Sequence, residues 1–347
     1  MTGLPDLASR LLGGGVVYAN DEFYAPADSL VDPAPPSFTP ATFGARGQVY
    51  DGWETRRRRE PGFDQAIVRL GAPGVVHRVV IDTAHFTGNY PPYASVDGLG
   101  AEGYPAPAEL RDAEWIPLVP RSPLQGSTRN EFTVDSPHRL THVRLSIYPD
   151  GGVARLRVHG EVVPDPRLLC GGLVDLAALE HGGTVAECSD EFYGAPDNLI
   201  QPGLARTMGE GWETRRRRDS GNDWVVIRLA APGRIRLAEL DTSHFKGNSP
   251  GAVSLHGRNG DTGGWFPLLP ERVPVQPDTR HRFPVTDARV ATQVRLDVFP
   301  DGGLARLRLP GEIAAEDLTE LGRRWWRLLP PEHARRVPET DALRYAG

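Results

Sequence analysis

Apolar residues along this chain come in short runs separated by turn-forming residues. Gln65–Gly71 reads QAIVRLG, Val75–Asp82 reads VVHRVVID, Leu140–Tyr148 reads LTHVRLSIY and Gly152–Val158 reads GVARLRV. These runs are rich in Val, Ile and Leu. In Ala154–Val158 apolar and basic residues alternate, as they do in a strand with one buried face. Gly, Pro, Asp and Asn cluster between the runs, and no long amphipathic helix interrupts them. The pattern predicts an antiparallel β-sandwich, most simply a jelly roll. Only Ala315–Leu329 has helical spacing, with Leu318, Leu321, Trp325, Leu328 and Leu329 on one face and Pro330–Pro331 as a stop. That face is expected to pack on a domain or subunit neighbour. The polar tail from Glu332 is expected to be loose.

The sandwich pattern occurs twice. Asn20–Pro33 (NDEFYAPADSLVDP) answers to Ser189–Pro202 (SDEFYGAPDNLIQP), and DGWETRRRR from Asp51 answers to EGWETRRRR from Glu210. Asp82–Pro91 (DTAHFTGNYP) matches Asp241–Pro250 (DTSHFKGNSP), and Val143–Glu161 matches Val294–Glu312. The order is the same in both halves, and the spacing from WETR to DT-x-H is identical, so the chain is an internal duplication. We place one repeat at residues 1–168, the second at 169–313 and a C-terminal helix with its tail at 314–347. A chain of 347 residues suits two such domains.

Composition narrows the function. The formal net charge is −6, the wrong sign for a general nucleic-acid or membrane-surface binder. An RNA-binding reading of the arginine runs also lacks an aromatic-basic platform. Nearly every basic residue is Arg, and Lys246 is the only lysine; a GC-rich genome explains that richness, but not arginine kept at a repeated position. The start has no signal-peptide pattern, and no stretch has the length and apolarity of a membrane span. Cys170 and Cys188 make neither a disulfide framework nor a zinc-ligand pattern. We expect a cytoplasmic protein with free thiols. P-loop, dinucleotide-binding, nucleophile-elbow and HExxH signatures are absent.

Chemistry therefore rests on the repeated motifs. If WETRRRR is extended, Glu54, Arg56 and Arg58 share a face opposite Trp53, Thr55, Arg57 and Arg59. A planar guanidinium donates two parallel hydrogen bonds to a carboxylate, which suits a small acid as ligand. An internal Glu–Arg network is the plain structural alternative. In the DT-x-H segment, Asp82, His85 and Asn89 stand at a strand end, and they recur as Asp241, His244 and Asn248. A His beside an acid suits proton transfer, although a lone His is more often structural. The DEFY acids leave room for a structural cation. The YPDGG and FPDGG segments read first as turns.

Together, GWETRRRR, DT-x-H-F-x-GN, DEFY and PDGG-x-ARLR resemble the allantoicase family, from about Val16 to Glu312. The resemblance implies tandem jelly-roll, galactose-binding-like sandwiches and hydrolysis of allantoate to ureidoglycolate and urea. It also implies a homo-oligomer and no established organic cofactor, and we assign no metal ligand. Two stretches depart from a regular duplication, GARGQVYD before the first motif and the longer GLGAEGYPAPAELRDAEW loop. Allantoate carries a carboxylate and two ureido groups on one carbon. Its carboxylate falls to Arg56 and Arg58, or Arg215 and Arg217. Asn89 or Asn248 is assigned a ureido carbonyl, with Arg155 and Arg306 as further candidates for the same pocket. Glu54 or Glu213 is assigned to water or a ureido N–H, and His85 or His244 to protonating the departing urea. Direct attack by water and expulsion of urea by the other ureido nitrogen both remain open at this level. So does a non-catalytic sandwich that binds a small anion or a carbohydrate.

Overall fold

The computed structural model describes residues 3–340. Contacts divide them into two compact units, one of Leu4–Val163 with Trp325–Glu339 and one containing Pro164–Arg324. The first-repeat unit turns on one strand, Asp64–Asp82. Its first part pairs antiparallel with Gly15–Ala19 and with Arg139–Tyr148, and the sheet continues through Tyr93–Leu99 to Ile116–Pro123. Its second part pairs with Arg155–Val162 and Arg129–Thr133. The register on Arg139–Tyr148 shifts between Arg69 and Gly74, where the strand passes from one layer to the other. Gly74 is needed at that crossing, because a Cβ there would lie 2.0 Å from the Glu161 carbonyl oxygen.

The second-repeat unit has the same order with two interruptions. Asp223–Ile235 pairs with Thr184–Cys188 and Ala291–Phe299, while Leu237–Asp241 pairs with Arg280–Pro284 and Arg306–Arg308. The long strand is thus broken at Arg236. The last strand is also split, into Arg306–Arg308 and Pro310–Ile313. Pro310 stands where the first repeat has His159, and proline brings no ladder N–H.

Both units are all-β sandwiches with interiors of Val, Ile and Leu; Ile67, Val79, Leu145 and Leu156 have no exposure, nor do Ile227, Leu240, Leu296 and Leu307. The C-terminal helix spans Ala315–Arg327, two residues short of the expected Leu329. Trp325 is buried beneath the Arg139 guanidinium, 5.7 Å from the ring centre, and the Leu328 carbonyl accepts the Arg139 amide. The segment expected to be loose from Glu332 is a short helix, Pro331–Arg336. His333 anchors it, being buried and 2.9 Å from the Glu102 carboxylate. Val337 follows it, buried and accepting from the Trp326 indole, and residues 341–347 of that tail lie outside the described residues.

Two aromatic wedges set the ends of each sandwich where the repeated motifs meet. Trp53 and Trp212 are fully buried, and each indole N–H donates to a carbonyl of the DEFY segment, Asp21 or Asp190, at 2.8 Å. Phe86 and Phe245 pack so closely on Gly152 and Gly303 that a Cβ on either glycine would lie 2.0 Å from the ring. Gly152→Ala is therefore expected to lower stability by about 1–3 kcal/mol through overpacking. Gly152 is also the ladder partner of Glu54, so the pairing of that short strand is expected to loosen with it. Chemical denaturation of the variant and the wild type, with hydrogen exchange at the Glu54 amide, checks both.

Candidate active site

The site begins with a very short strand. Trp53–Glu54 pairs antiparallel with Gly152–Val153, the residues that follow the PDG turn. On its other edge, the Tyr24 and Ala25 amides donate to the Glu54 carbonyl and the Glu54 amide donates to Ala25. Thr55, also buried, exchanges hydrogen bonds with Gly151. The Glu54 side chain is thus held between DEFY and PDGG, the two motifs most distant from one another along the repeat.

From there the side chains sort differently from a simple alternation, because the chain leaves strand geometry after Glu54. Asn89 donates from Nδ2 to Glu54 Oε1 at 2.7 Å, and Asn248 does the same to Glu213 at 2.6 Å. An open cavity of about 520 Å³ forms around Glu54 and Asn89, and Tyr24, Arg57, Arg58, Tyr90 and Asp150 share its lining. Burial raises the Glu54 carboxyl above its usual range, and the Asn89 hydrogen bond only partly opposes this.

The arginines divide by position. Arg56 donates from Nε to Asp21 at 2.7 Å, and Arg215 does so to Asp190 at the same distance. Burial alone would raise Asp21, but hydrogen bonds from the Phe23 amide and from Arg56 hold it low. Arg58 donates to the buried Asp64 carboxylate at 2.6 Å, and Arg217 to Asp223 at 2.6 Å. The Arg58 and Arg217 amides donate to Asp150 and Asp301. Arg57 and Arg216 are exposed, and no ion pair or hydrogen bond engages either guanidinium among the described residues. The guanidinium at this cavity with its fork free is therefore Arg57, whereas Arg56 and Arg58 are already held by aspartates.

The remaining candidates sit elsewhere. Arg155 is buried and grips Asp51 with two nitrogens, at 2.8 and 2.9 Å. Arg306 is buried too, but it donates to the Gly203, Glu210 and Ala305 carbonyls. Burial, then the neighbouring Arg308 charge, pushes Arg306 down to about 10. His85 and His244 both adopt left-handed backbone, at φ 70° and 74°. Their Nε2 atoms lie 3.3 Å from the Pro36 carbonyl and 3.0 Å from the Ala205 carbonyl. The His85 ring stacks on Phe38, and neither His85 nor Arg155 lines the cavity. Asp82 accepts the Ala84 amide and so builds the turn. Among the described residues no group of three or more His, Cys, Asp or Glu side chains is arranged to hold a metal ion.

The cavity thus brings in Arg57, Asp150, Tyr24 and Tyr90, to which sequence reasoning assigned no site role. Repetition was the available signal: Arg57 recurs as Arg216, Asp150 as Asp301 and Tyr24 as Tyr193.

The chain is similar to known proteins over most of its length. The family model described as the allantoicase repeat matches residues 5–163 and again 174–314. The chain is 61% identical over 315 residues to a probable allantoicase of Nocardia farcinica, spanning 90% of this chain and 95% of that protein. It is 50% identical over 336 residues to a probable allantoicase of Streptomyces coelicolor, spanning 93% and 89%. It is also similar to the crystal structure of allantoicase from Saccharomyces cerevisiae, with a TM-score of 0.76, 34% identity and coverage of 89% and 94%.

The raised Glu54 pKa has a consequence for stability. A carboxyl raised in the folded state stabilises that state fully below its unfolded value of about 4.3, and the contribution is lost as pH rises through the folded value. Glu54→Gln removes this penalty. The variant is expected to be at least as stable as the wild type at pH 7, with its advantage shrinking toward pH 4, as thermal unfolding at the two pH values would show.

Proposed function

The chain belongs to the allantoicase family and is a hydrolase acting on allantoate, and on that premise we propose that the reaction takes place in the Glu54–Asn89–Arg57 cavity and at its counterpart, Glu213–Asn248–Arg216. The observation that carries this is a single one. One cavity holds a half-buried carboxyl with a raised pKa, an amide that holds it and a guanidinium without an internal partner. A module that only binds a small anion or carbohydrate needs no such carboxyl, and that alternative gives way to the family membership.

In this reading the Arg57 fork takes the substrate carboxylate, and Asn89 Oδ1 accepts a ureido N–H. Of the two routes, the raised Glu54 favours expulsion. Protonated Glu54 gives its proton to the nitrogen of the departing urea as the carbon–nitrogen bond breaks. The lone pair of the remaining ureido nitrogen forms the new carbon–nitrogen π bond. The Glu54 carboxylate then takes a proton from water, whose oxygen bonds to the central carbon. One water is consumed, urea and ureidoglycolate are formed, and Glu54 is protonated again. Arg57 lies against the substrate carboxylate throughout, offsetting charge as it shifts.

The other candidates act as supports in this proposal. Arg56, Arg58, Arg215 and Arg217 hold the WETRRRR segment, while Arg155, Arg306, His85 and His244 tie down the loop before it. The proposal includes a homo-oligomer and a cytoplasmic location, for which the two free thiols speak. Among the described residues, no helix is long and apolar enough to cross a membrane.

The Glu54→Gln, Glu213→Gln double variant is expected to lose about 10²–10⁴ in kcat for urea release, and a fully active double variant would refute the assignment. Removing one charge-assisted pair should raise the KM of an Arg57→Ala, Arg216→Ala variant about tenfold or more. The pH profile separates the two routes. In a Glu213→Gln background, which isolates the first repeat, kcat should rise as pH falls from neutral toward the raised Glu54 value. A kcat that falls with pH there would show Glu54 acting first as a base.

A further inference from the structure

The fourth arginine of each run is unused by the reaction just described. Arg59 does not line the Glu54 cavity, and neither Arg59 nor Arg218 forms an ion pair or hydrogen bond among the described residues. Both are exposed. An arginine needed for the fold would show a partner, as Arg56, Arg58 and Arg155 do. Yet the duplicated halves have diverged at neighbouring positions, Tyr90 against Ser249 and Asp51 against Glu210, and still carry arginine here.

Arg59 faces a second opening. A cavity of about 470 Å³ is lined by all four arginines of the run together with Asp21, Asp64 and Glu60. It shares Arg57 and Arg58 with the Glu54 cavity. Asp21 and Asp64 are committed to Arg56 and Arg58. Glu60, exposed on the rim, forms no ion pair among the described residues. Four positive charges here meet three carboxylates, and the two guanidinium groups left without partners are Arg57 and Arg59. Two such forks opening on one cavity, with no internal counter-ion on either, suit a small anion that accepts planar, two-pronged hydrogen bonds.

We propose that Arg57 and Arg59 form a second subsite for a small carboxylate, beside the reaction cavity and sharing Arg57 with it, with Arg216 and Arg218 as its equivalent in the second repeat. A carboxylate seated there draws the Arg57 fork away from the reaction cavity. Simple carboxylates, lacking ureido groups for Asn89, are therefore competitive inhibitors. Only this competition rests on the reading of Arg57 as the substrate's receptor; binding at the subsite does not.

Acetate is the probe, used at fixed ionic strength on the full chain. Broadening of the acetate methyl resonance reports binding without turnover, and the inhibition constant is measured against urea release from allantoate. An Arg59→Gln, Arg218→Gln variant changes only exposed side chains. It is expected to bind acetate about two- to fivefold more weakly, the range for one exposed charge pair, with the inhibition constant rising in step. The kcat and the KM for allantoate should stay near wild type. Arg59→Lys with Arg218→Lys, which keeps the charge and loses the fork, should fall between the two. Unchanged acetate broadening in the glutamine variant overturns the proposal. A KM for allantoate that rises as much as the acetate constant also overturns it, by placing Arg59 in the substrate site itself. If broadening weakens as expected but inhibition is not competitive, the subsite stands and the reading of Arg57 as the substrate's receptor fails.

Discussion

A two-residue strand, Trp53–Glu54, holds the carboxyl of the cavity in the first repeat, and the clamp on that strand is the constraint on which the cavity depends. The backbone is hydrogen-bonded along both edges, to Gly152–Val153 and to the Tyr24–Ala25 segment. The Trp53 indole is sealed inside the sandwich, so the neighbouring side chain has one direction left, toward the cavity. This fixes how far the Glu54 carboxyl is removed from water, and burial is what raises its pKa. A looser attachment would let the carboxyl swing into solvent and revert to an ordinary acid. The tight contact of Phe86 on Gly152 has the same effect from beneath, since no bulkier residue could hold the ladder partner so close.

Charge is then sorted around this fixed point. Four adjacent guanidinium groups repel one another, and the fold relieves that by committing alternate members to buried or half-buried aspartates. Asp21 and Asp64 serve the first repeat, and Asp190 and Asp223 the second. These pairs are structural pins, anchoring the loop that follows the short strand. The pinned arginines also hold their neighbours in place, leaving Arg57 with its fork unengaged at the cavity. The same feature that rigidifies the segment leaves one guanidinium of the cavity without an internal partner among the described residues.

The two halves reach this arrangement by different routes in the loop before the motif. In the first, Asp51 binds Arg155 and also accepts from the Ser37 amide and hydroxyl, tying down a long loop whose hairpin pairs Phe43–Gly44 with Gly47–Gln48. In the second, Glu210 turns to Arg206 within a shorter loop, and Arg306 is left with carbonyl partners alone. Burial of this guanidinium, and then the neighbouring Arg308 charge, push Arg306 down to about 10. Phe192 and Tyr193 are correspondingly more exposed than Phe23 and Tyr24. The Glu, Asn and Arg of the proposed site recur in both halves, as Glu54, Asn89 and Arg57 and as Glu213, Asn248 and Arg216, while their surroundings differ.

Much of this was legible in the chain itself. Short apolar runs, turn residues and exact spacing between repeated motifs determined an all-β protein built twice, and the C-terminal helix followed from its apolar spacing. Motif order was enough to identify the family, and Glu54 and Asn89 with their counterparts stood out by repetition. The sorting of the arginines was not legible, because Asp21 and Asp64 lie far along the chain or beyond a turn, and only folding sets their distances to Arg56 and Arg58. Strand alternation misled for a physical reason: the ladder on Trp53–Glu54 ends after two residues, and alternation holds only while a ladder lasts. For His85 the sequence shows only its neighbours in the chain. The fold gave it others, the Pro36 carbonyl and the Phe38 ring. Local pattern determined the elements and the kinds of side chain available; long-range packing decided which of them meet, which are neutralised, and which single carboxyl is left half-dry beside an unpaired arginine.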